Sequence, residues 1–534
     1  MQPVARHDRA PDVSFDGGHL DCGSGLLLLI RRHLDPLDAG GILEIRSTDL
    51  SVEEDLPAWC RLTGNELLSW TREGAQRSYL VAKGGLAARR PAPSVPALSV
   101  PVLSVPVLSV PVLSGPVLSG PVLLPEHVPV AIHIPDRLPA PADAPAVAPL
   151  SVMGIGSWPR PGWMLRSIHE HMEGRLPDDE FEATARDAVR LAVDAQVRAG
   201  VDVVTDGEQR RDNYSSFVGG LLDNCALVPL TDLLPLVDDP EHFQAQMNSL
   251  DVPADKVRHP AVFGPLGRRR PLAVHELAYA RTLTQTPVKV ALPGPYLLTR
   301  TMWMECLSPH AYTSREQLAD DIVRVLREEA HFLLAGGAAI VQFDEPVLTE
   351  VVFTGQKRTR TFMCGALSEA GDPEAELAFA RTLINRVTEG LPRSRTALHV
   401  CRGNWTPDES VALSGDYRAL LPLFNTLEVG TLFLELCTPR AGDVEVLKGL
   451  SDRYRVGVGV VNQKSREVER EEDILAKARA AIRVLGPERV LLTPDCGFAT
   501  FADNPVASAA AAEGKLAAIV AAARTLRREH GLSE

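Results

Sequence analysis

Thr396-Ala-Leu-His-Val-Cys-Arg-Gly403 reads as a short buried strand that ends on two metal-capable side chains. Ala397, Leu398 and Val400 supply the apolar run, and Gly403 opens a loop. Residues i and i+2 of a strand project to the same side, so His399 and Cys401 aim an imidazole and a thiol at one point. A lone His-x-Cys also describes an ordinary buried strand end. The rest of the chain decides between the two readings.

Seven further short apolar runs share the rhythm of 396–400. They are Leu150–Ile155, Val201–Thr205, Val288–Leu292, Ala338–Phe343, Thr431–Leu436, Val456–Val461 and Arg489–Thr493. Amphipathic helical patterns alternate with them at Asp179–Ala199, Ser314–Ala335, Glu374–Glu389, Glu472–Leu485 and Val506–Arg528. Apolar runs alternating with helices indicate βα units and a parallel sheet. Eight such units predict a (β/α)₈ TIM barrel over residues 149–530, within the α/β class. The stretch 213–287 exceeds a normal connection and is expected to be an insertion with helices of its own.

The 534-residue chain is too long for one ordinary domain. Residues 15–84 form a compact unit by pattern: helix Leu26–Leu34, strand Gly41–Ser47, helix Val52–Leu62 and strand Arg77–Ala82, a small α+β sandwich. Residues 85–148 are a linker. Pro96, Pro101, Pro106, Pro111, Pro116 and Pro121 recur every fifth residue, which forbids a continuous helix and leaves an extended spacer. The same prolines exclude a membrane span there.

The composition, 45% hydrophobic and 23% charged, is that of a globular protein, and the net charge of -14 argues against nucleic acid or an anionic membrane as partner. Arg268-Arg269-Arg270 is read as a solvated loop. Met1–Leu20 lacks the apolar core of a secretory signal, and the eight cysteines show no framework spacing. A cytoplasmic setting with reduced thiols is expected, where clustered cysteines mean metal or catalysis.

Functional residues of such barrels sit just past the C-terminal ends of the strands. Those positions hold Gly154-Ile155-Gly156-Ser157, Asp206-Gly207-Glu208, Asp344-Glu345-Pro346 with Glu350, His399 and Cys401, Glu435, Asn462-Gln463-Lys464 and Asp495-Cys496. Carboxylates and thiols gathered at one rim are costly as core packing. His399, Cys401, Glu435 and Cys496 offer the imidazole, two sulfurs and carboxylate of a tetrahedral zinc site. Structural zinc sites draw on close pairs such as Cys-x-x-Cys, whereas these ligands come from separate strands, which favours catalysis. Zinc would turn an incoming thiol into a thiolate, the nucleophile of S-alkylation.

Residues 150–530 resemble the C-terminal catalytic barrel of cobalamin-independent methionine synthase. The resemblance rests on Ile155-Gly156-Ser157, Asp206-Gly207-Glu208, Gln342-Phe-Asp-Glu-Pro346, His399-Val-Cys401, Leu434-Glu435, Val456-Gly-Val-Gly459 and Pro494-Asp-Cys-Gly497. It implies that His399, Cys401, Glu435 and Cys496 hold zinc. It further implies that Ile155, Gly156, Ser157, Glu208 and Asp344 bind the amino-acid part of homocysteine, and that Glu350 lies close to the substrates. The alternative for Glu208 and Asp344 is a structural ion pair with Arg210 or another basic residue.

Three departures bear on the methyl donor. Lys464 stands in register with the family's histidine after the seventh strand, and is the catalytic candidate there. Thr301 replaces the tryptophan that stacks on folate, with Trp303 two residues on. The second barrel that precedes this one in the family's full-length form is replaced by residues 15–84 and the linker. The donor, folate or corrinoid, therefore stays open. A thiol alkyltransferase or lyase acting on another electrophile such as an epoxide is the alternative enzyme.

Within residues 15–84, the Asp55-Leu-Pro-Ala-Trp-Cys60 run and the strand–helix course resemble the TusA/SirA sulfur-carrier family. That family's Cys-Pro-x-Pro cysteine corresponds to Cys22 in Cys22-Gly23-Ser24-Gly25, with glycine in place of each proline. Cys22 is thus a candidate sulfur carrier, and a sulfur-relay protein a candidate partner. A degenerate docking domain is the other reading. Cys60, beside Trp59 and Leu62, is expected in the core.

Overall fold

The computed structural model describes residues 4, 6–18, 26–34, 36–50, 52–74, 76–84, 86, 137–229, 258–303, 311–353, 372–403, 409, 412–503 and 505–532. Cys22 and the proline repeat lie outside the described residues. The chain divides into two compact units, Met1–Val128 and Pro129–Glu534.

In the first unit, β1 (Val13–Asp16), β2 (Ile42–Ser47), β3 (Glu66–Glu73) and β4 (Gln76–Ala82) form one sheet in the order β1-β2-β4-β3. β1 and β2 are parallel; β4 runs antiparallel to both its neighbours. Helices Leu27–Leu34 and Val52–Thr63 complete a two-layer α+β unit. Leu27, Ile30, Leu34, Leu56 and Trp59 are buried with Ile42, Ile45 and Leu80, and Cys60 joins them in the core as expected. Burial of each large aliphatic or aromatic side chain contributes about 1.5–3 kcal/mol. The sequence pattern missed β1 and β3. Glu66-Leu-Leu-Ser-Trp-Thr-Arg-Glu73 carries good helix formers, yet pairing with β4 makes it a strand: tertiary contacts override propensity here.

The second unit is built on β7 (Lys289–Pro293), β8 (Ile340–Asp344), β9 (Thr396–Val400), β10 (Thr431–Leu434), β11 (Arg455–Val461) and β12 (Val490–Pro494), all parallel and neighbours in that order. Single parallel bridges join Leu492 to Val152, Met153 to Val203 and Val204 to Val288. The segments around 152 and 203 therefore close the ring as its first and second members. Strands buried on both faces read as unbroken apolar runs, which is why all eight were visible in the sequence. Inside, Met153, Ile155, Val203, Ile340, Ala397, Phe433 and Leu491 form one buried cluster. Gly457 makes room for it, since a Cβ there would meet the Phe433 ring at 2.1 Å.

Helices Asp178–Ala199, Arg315–Ala335, Pro373–Thr388, Glu471–Leu485 and Ala509–Glu529 lie where the pattern placed them. Ser314, Asp372 and Ser508 each accept a hydrogen bond from a first-turn N–H, so side-chain caps start three of them. The insertion holds a helix of its own, as expected, and two strands that the pattern missed. Among its described residues, β5 (Asp223–Pro229) and β6 (Arg258–Gly267) pair antiparallel after a 3₁₀ turn at Ser216–Gly220. The helix that follows, Val274–Leu283, packs against the two long helices Asp178–Ala199 and Arg315–Ala335. Pro260, Pro265 and Gly267 break the alternation in β6, which hid the strand. Arg268 is mostly buried and paired with Glu329 rather than solvated. Among the described residues no helix is long and apolar enough to cross a membrane.

Candidate active site

β8 and β9 run side by side with Asp344 in register with His399. That register puts Asp344 Oδ1 3.0 Å from His399 Nδ1. Cys401 follows two residues past His399, and Cys496 follows β12. One donor atom from each of His399, Cys401 and Cys496 falls within 4.8 Å of the others, and all three residues are buried. His399 Nε2 is buried without a hydrogen-bond partner. With Nδ1 held by a carboxylate, Nε2 keeps its lone pair for a ligand, the arrangement common in zinc-binding histidines.

The two thiols are electrostatically unequal. A hydrogen bond from Cys496 brings the Cys401 thiol down to about 7 against the opposing effect of burial. Cys496, as donor in that pair and fully buried, is raised well above its ordinary value. The arrangement favours ionisation of Cys401 over Cys496. Three soft or borderline donors with an unpartnered Nε2 fit zinc.

Glu435 is fully buried next to this cluster, and its carboxylate is engaged elsewhere. One oxygen pairs with Arg440, and the other accepts the Arg402 N–H at 3.0 Å. Arg402 is itself fixed by bonds to the carbonyls of Gly415 and Glu435 and by stacking on Tyr417. The structure therefore brings together three of the four expected metal ligands and sets the fourth beside them in an ion pair.

One cleft joins the cluster to the residues expected to bind the amino acid. It is lined by Ile155, Gly156, Ser157, Glu208, Tyr214, Asp344 and Pro346 at one side and by His399, Cys401, Cys496, Gly497 and Thr500 at the other. Glu208 sits in the left-handed region at φ 53°, a strained position for a side-chain-bearing residue. Asp206 Oδ1 supports it by accepting the Glu208 N–H at 3.0 Å. A Cβ on Gly156 would lie 2.1 Å from Glu208 Oε1, so only glycine there lets the carboxylate into the cleft.

Glu208 Oε1 is 3.9 Å from Arg211, whose main partner is Glu276 at 2.6 Å, while Oε2 is buried without a hydrogen-bond partner. Burial pushes the Glu208 carboxyl up to about 7, with Arg211 opposing the shift and Asp344 adding to it. Arg210 pairs with Glu182 instead, and the basic residue that Glu208 meets is Arg211, in a long ion pair at 3.9 Å.

Ser157 holds the loop carrying Cys496: its carbonyl accepts the Phe498 N–H at 3.1 Å and its hydroxyl the Ala499 N–H at 3.3 Å. Lys464 and Glu350 are buried, and neither lines the cleft. Lys464 feels Arg440, Glu409, Glu435 and Cys496, and burial lowers its ammonium below the usual range. Pattern reading missed Arg440, Arg402, Tyr214 and Thr500. Of these, Arg402, next to Cys401, and Thr500, four residues past Cys496, lay near flagged strand ends.

Comparison with known proteins bears on this site. The sequence profile described as "Cobalamin-independent synthase, Catalytic domain" matches residues 150–524. The chain belongs to this family. Similar relatives include proteins named methionine synthase from Saccharolobus solfataricus, 25% identical over 64% of this chain and 86% of that one, and from Thermococcus kodakarensis, 26% identical over 66% and 87%. Among solved structures, a B12-independent methionine synthase from a Shewanella species aligns with a TM-score of 0.54 at 24% identity, over 72% of this chain and 99% of that one. A putative vitamin-B12 independent methionine synthase from Listeria monocytogenes aligns with a TM-score of 0.51 at 19% identity, over 72% and 99%. These structural likenesses concern the fold. The family match begins at residue 150 and does not reach the α+β unit.

Proposed function

We propose that the chain transfers a methyl group to the thiol of homocysteine, completing methionine biosynthesis, with zinc held by His399, Cys401 and Cys496 and with Glu435 as fourth donor. The observation that carries the reading is the shared cleft: a His/Cys/Cys cluster and a pair of buried carboxylates line the same space. The names of the relatives agree with it. Zinc, when bound, supplies the Lewis acidity that makes the thiol a thiolate near neutral pH.

The chain's own residues do the rest. Glu208 and Asp344 take the ammonium, and the 155–157 segment lines the place for the carboxylate. The thiol loses its proton to solvent, its sulfur bonds to the methyl carbon as the bond from that carbon to the donor breaks, and the donor departs with the electron pair of the broken bond. Lys464, its ammonium made more acidic by burial, is the group proposed to protonate that leaving group, with Glu350 as a second acid–base candidate. Side-by-side assays with methyltetrahydrofolate and with methylcobalamin test this. Methionine formed from either donor supports the reading; no methionine from both would reject it in favour of a different electrophile.

For residues 15–84 we propose a sulfur carrier acting through Cys22, supported by the β-α-β-α-β-β order of the unit. A transferable persulfide should form on the full chain and be absent in Cys22→Ala. A chain that takes up no sulfur at Cys22 ends that proposal.

A further inference from the structure

We infer that Lys289 is a positioning residue, which acts through Gln342 and Asp344 to fix the His399 tautomer that presents Nε2 to the metal. The inference rests on the proposed role of His399 as a ligand, and concerns residues beneath the cleft to which no role has been given.

Lys289 opens β7, points into the barrel and is 1% exposed. Its Nζ donates to Gln342 Oε1 at 2.6 Å and lies 4.2 Å from the centre of the Phe433 ring. Gln342 Nε2 donates to Asp344 Oδ1 at 2.7 Å, and the same oxygen meets His399 Nδ1 at 3.0 Å. Four side chains from three adjacent strands thus form one unbroken chain of hydrogen bonds from the barrel interior to the ligand cluster. Burial brings the lysine down to about 7, with Asp344 and Glu208 drawing it back up.

The direction of the chain follows from what each group can do. An ammonium, or an amine with its hydrogens, donates to the amide oxygen, so the Gln342 carbonyl must face Lys289. The NH₂ end must then face Asp344. An oxygen that already accepts one N–H stays an acceptor, so His399 brings the proton on Nδ1 and leaves the lone pair on Nε2. Without the lysine, the amide can turn and set its oxygen against the Asp344 carboxylate, which repels it and loosens its hold on the His399 Nδ1–H. Barrel packing alone does not call for this lysine: an apolar side chain of similar length would fill the position without the cost of burying an ammonium.

Zinc affinity, measured by competition with a chromophoric chelator, provides a readout separate from activity. Lys289→Met should weaken zinc binding about tenfold, the lower end of what losing an outer partner of a metal ligand costs. Gln342→Met should do the same, with circular dichroism and melting of the metal-free proteins used to check that both fold. In an Asp344→Asn background the effect of Lys289→Met should shrink to within twofold. Wild-type affinity in both single variants, or an undiminished Lys289 effect without Asp344, would overturn the inference while leaving the metal site intact. A wild-type chain that binds no zinc would overturn the proposed function and this inference together.

Discussion

Cys496→Ser is expected to remove zinc from the protein and to lower methyl transfer by on the order of a thousandfold, the equivalent of several kcal/mol of lost transition-state stabilisation. Serine is nearly isosteric, so the loop after β12 should keep its course, with Ser157 still holding Phe498 and Ala499. What changes is the donor: an alcohol is a harder and far less acidic ligand than a thiol. Metal analysis of purified protein checks the result, with Cys225→Ser as control. Cys225 is buried in the insertion hairpin, outside the cluster, and its replacement should leave zinc content unchanged. Equal zinc in Cys496→Ser and wild type would refute the metal site.

The contrast between Cys496 and Arg440 marks where sequence reading stops. Strand-end positions can be read because two periodicities act together: alternation fixes which side chains share a face, and the barrel fixes which strand ends face the cleft. Those rules reach His399, Cys401, Glu208, Asp344 and Cys496. They do not reach partners set by register. That Asp344 stands beside His399 depends on how β8 slides against β9, and neither strand alone encodes it.

Arg440 lies on a 3₁₀ turn, and only the folded course of the chain brings it to Glu435. The first two barrel segments make single bridges instead of longer ladders, and were still legible because burial on both sides gave them apolar sequences. The paired strands β5 and β6 failed the same test in reverse: their prolines and glycines obscure an alternation that the pairing restores.

Glu208→Gln should separate substrate binding from metal binding. In the structure the Glu208 carboxyl is buried, has an unpartnered Oε2 and is pushed up to about 7. An ammonium bound against Oε2 stabilises the ionised form and offsets the burial that raised it. Below pH 7 the carboxyl is protonated before substrate arrives, and binding must first remove that proton. The KM for homocysteine is therefore expected to rise as pH falls through 7, approaching tenfold per unit well below it, and to level off above.

Glutamine keeps the shape and removes the charge. Loss of one partner of a buried ion pair costs about 3 kcal/mol or more, so KM at pH 8 should rise roughly a hundredfold. The dependence below pH 7 should flatten, while kcat changes by only a few fold and zinc content stays at the wild-type level. A variant with raised KM but the wild-type pH profile would move the titrating group away from Glu208. A variant with lowered zinc would show that Glu208 supports the metal cluster instead of the amino acid. Because Gly156 is what admits the carboxylate to the cleft, Gly156→Ala should reproduce the raised KM by displacing Glu208 with its charge intact.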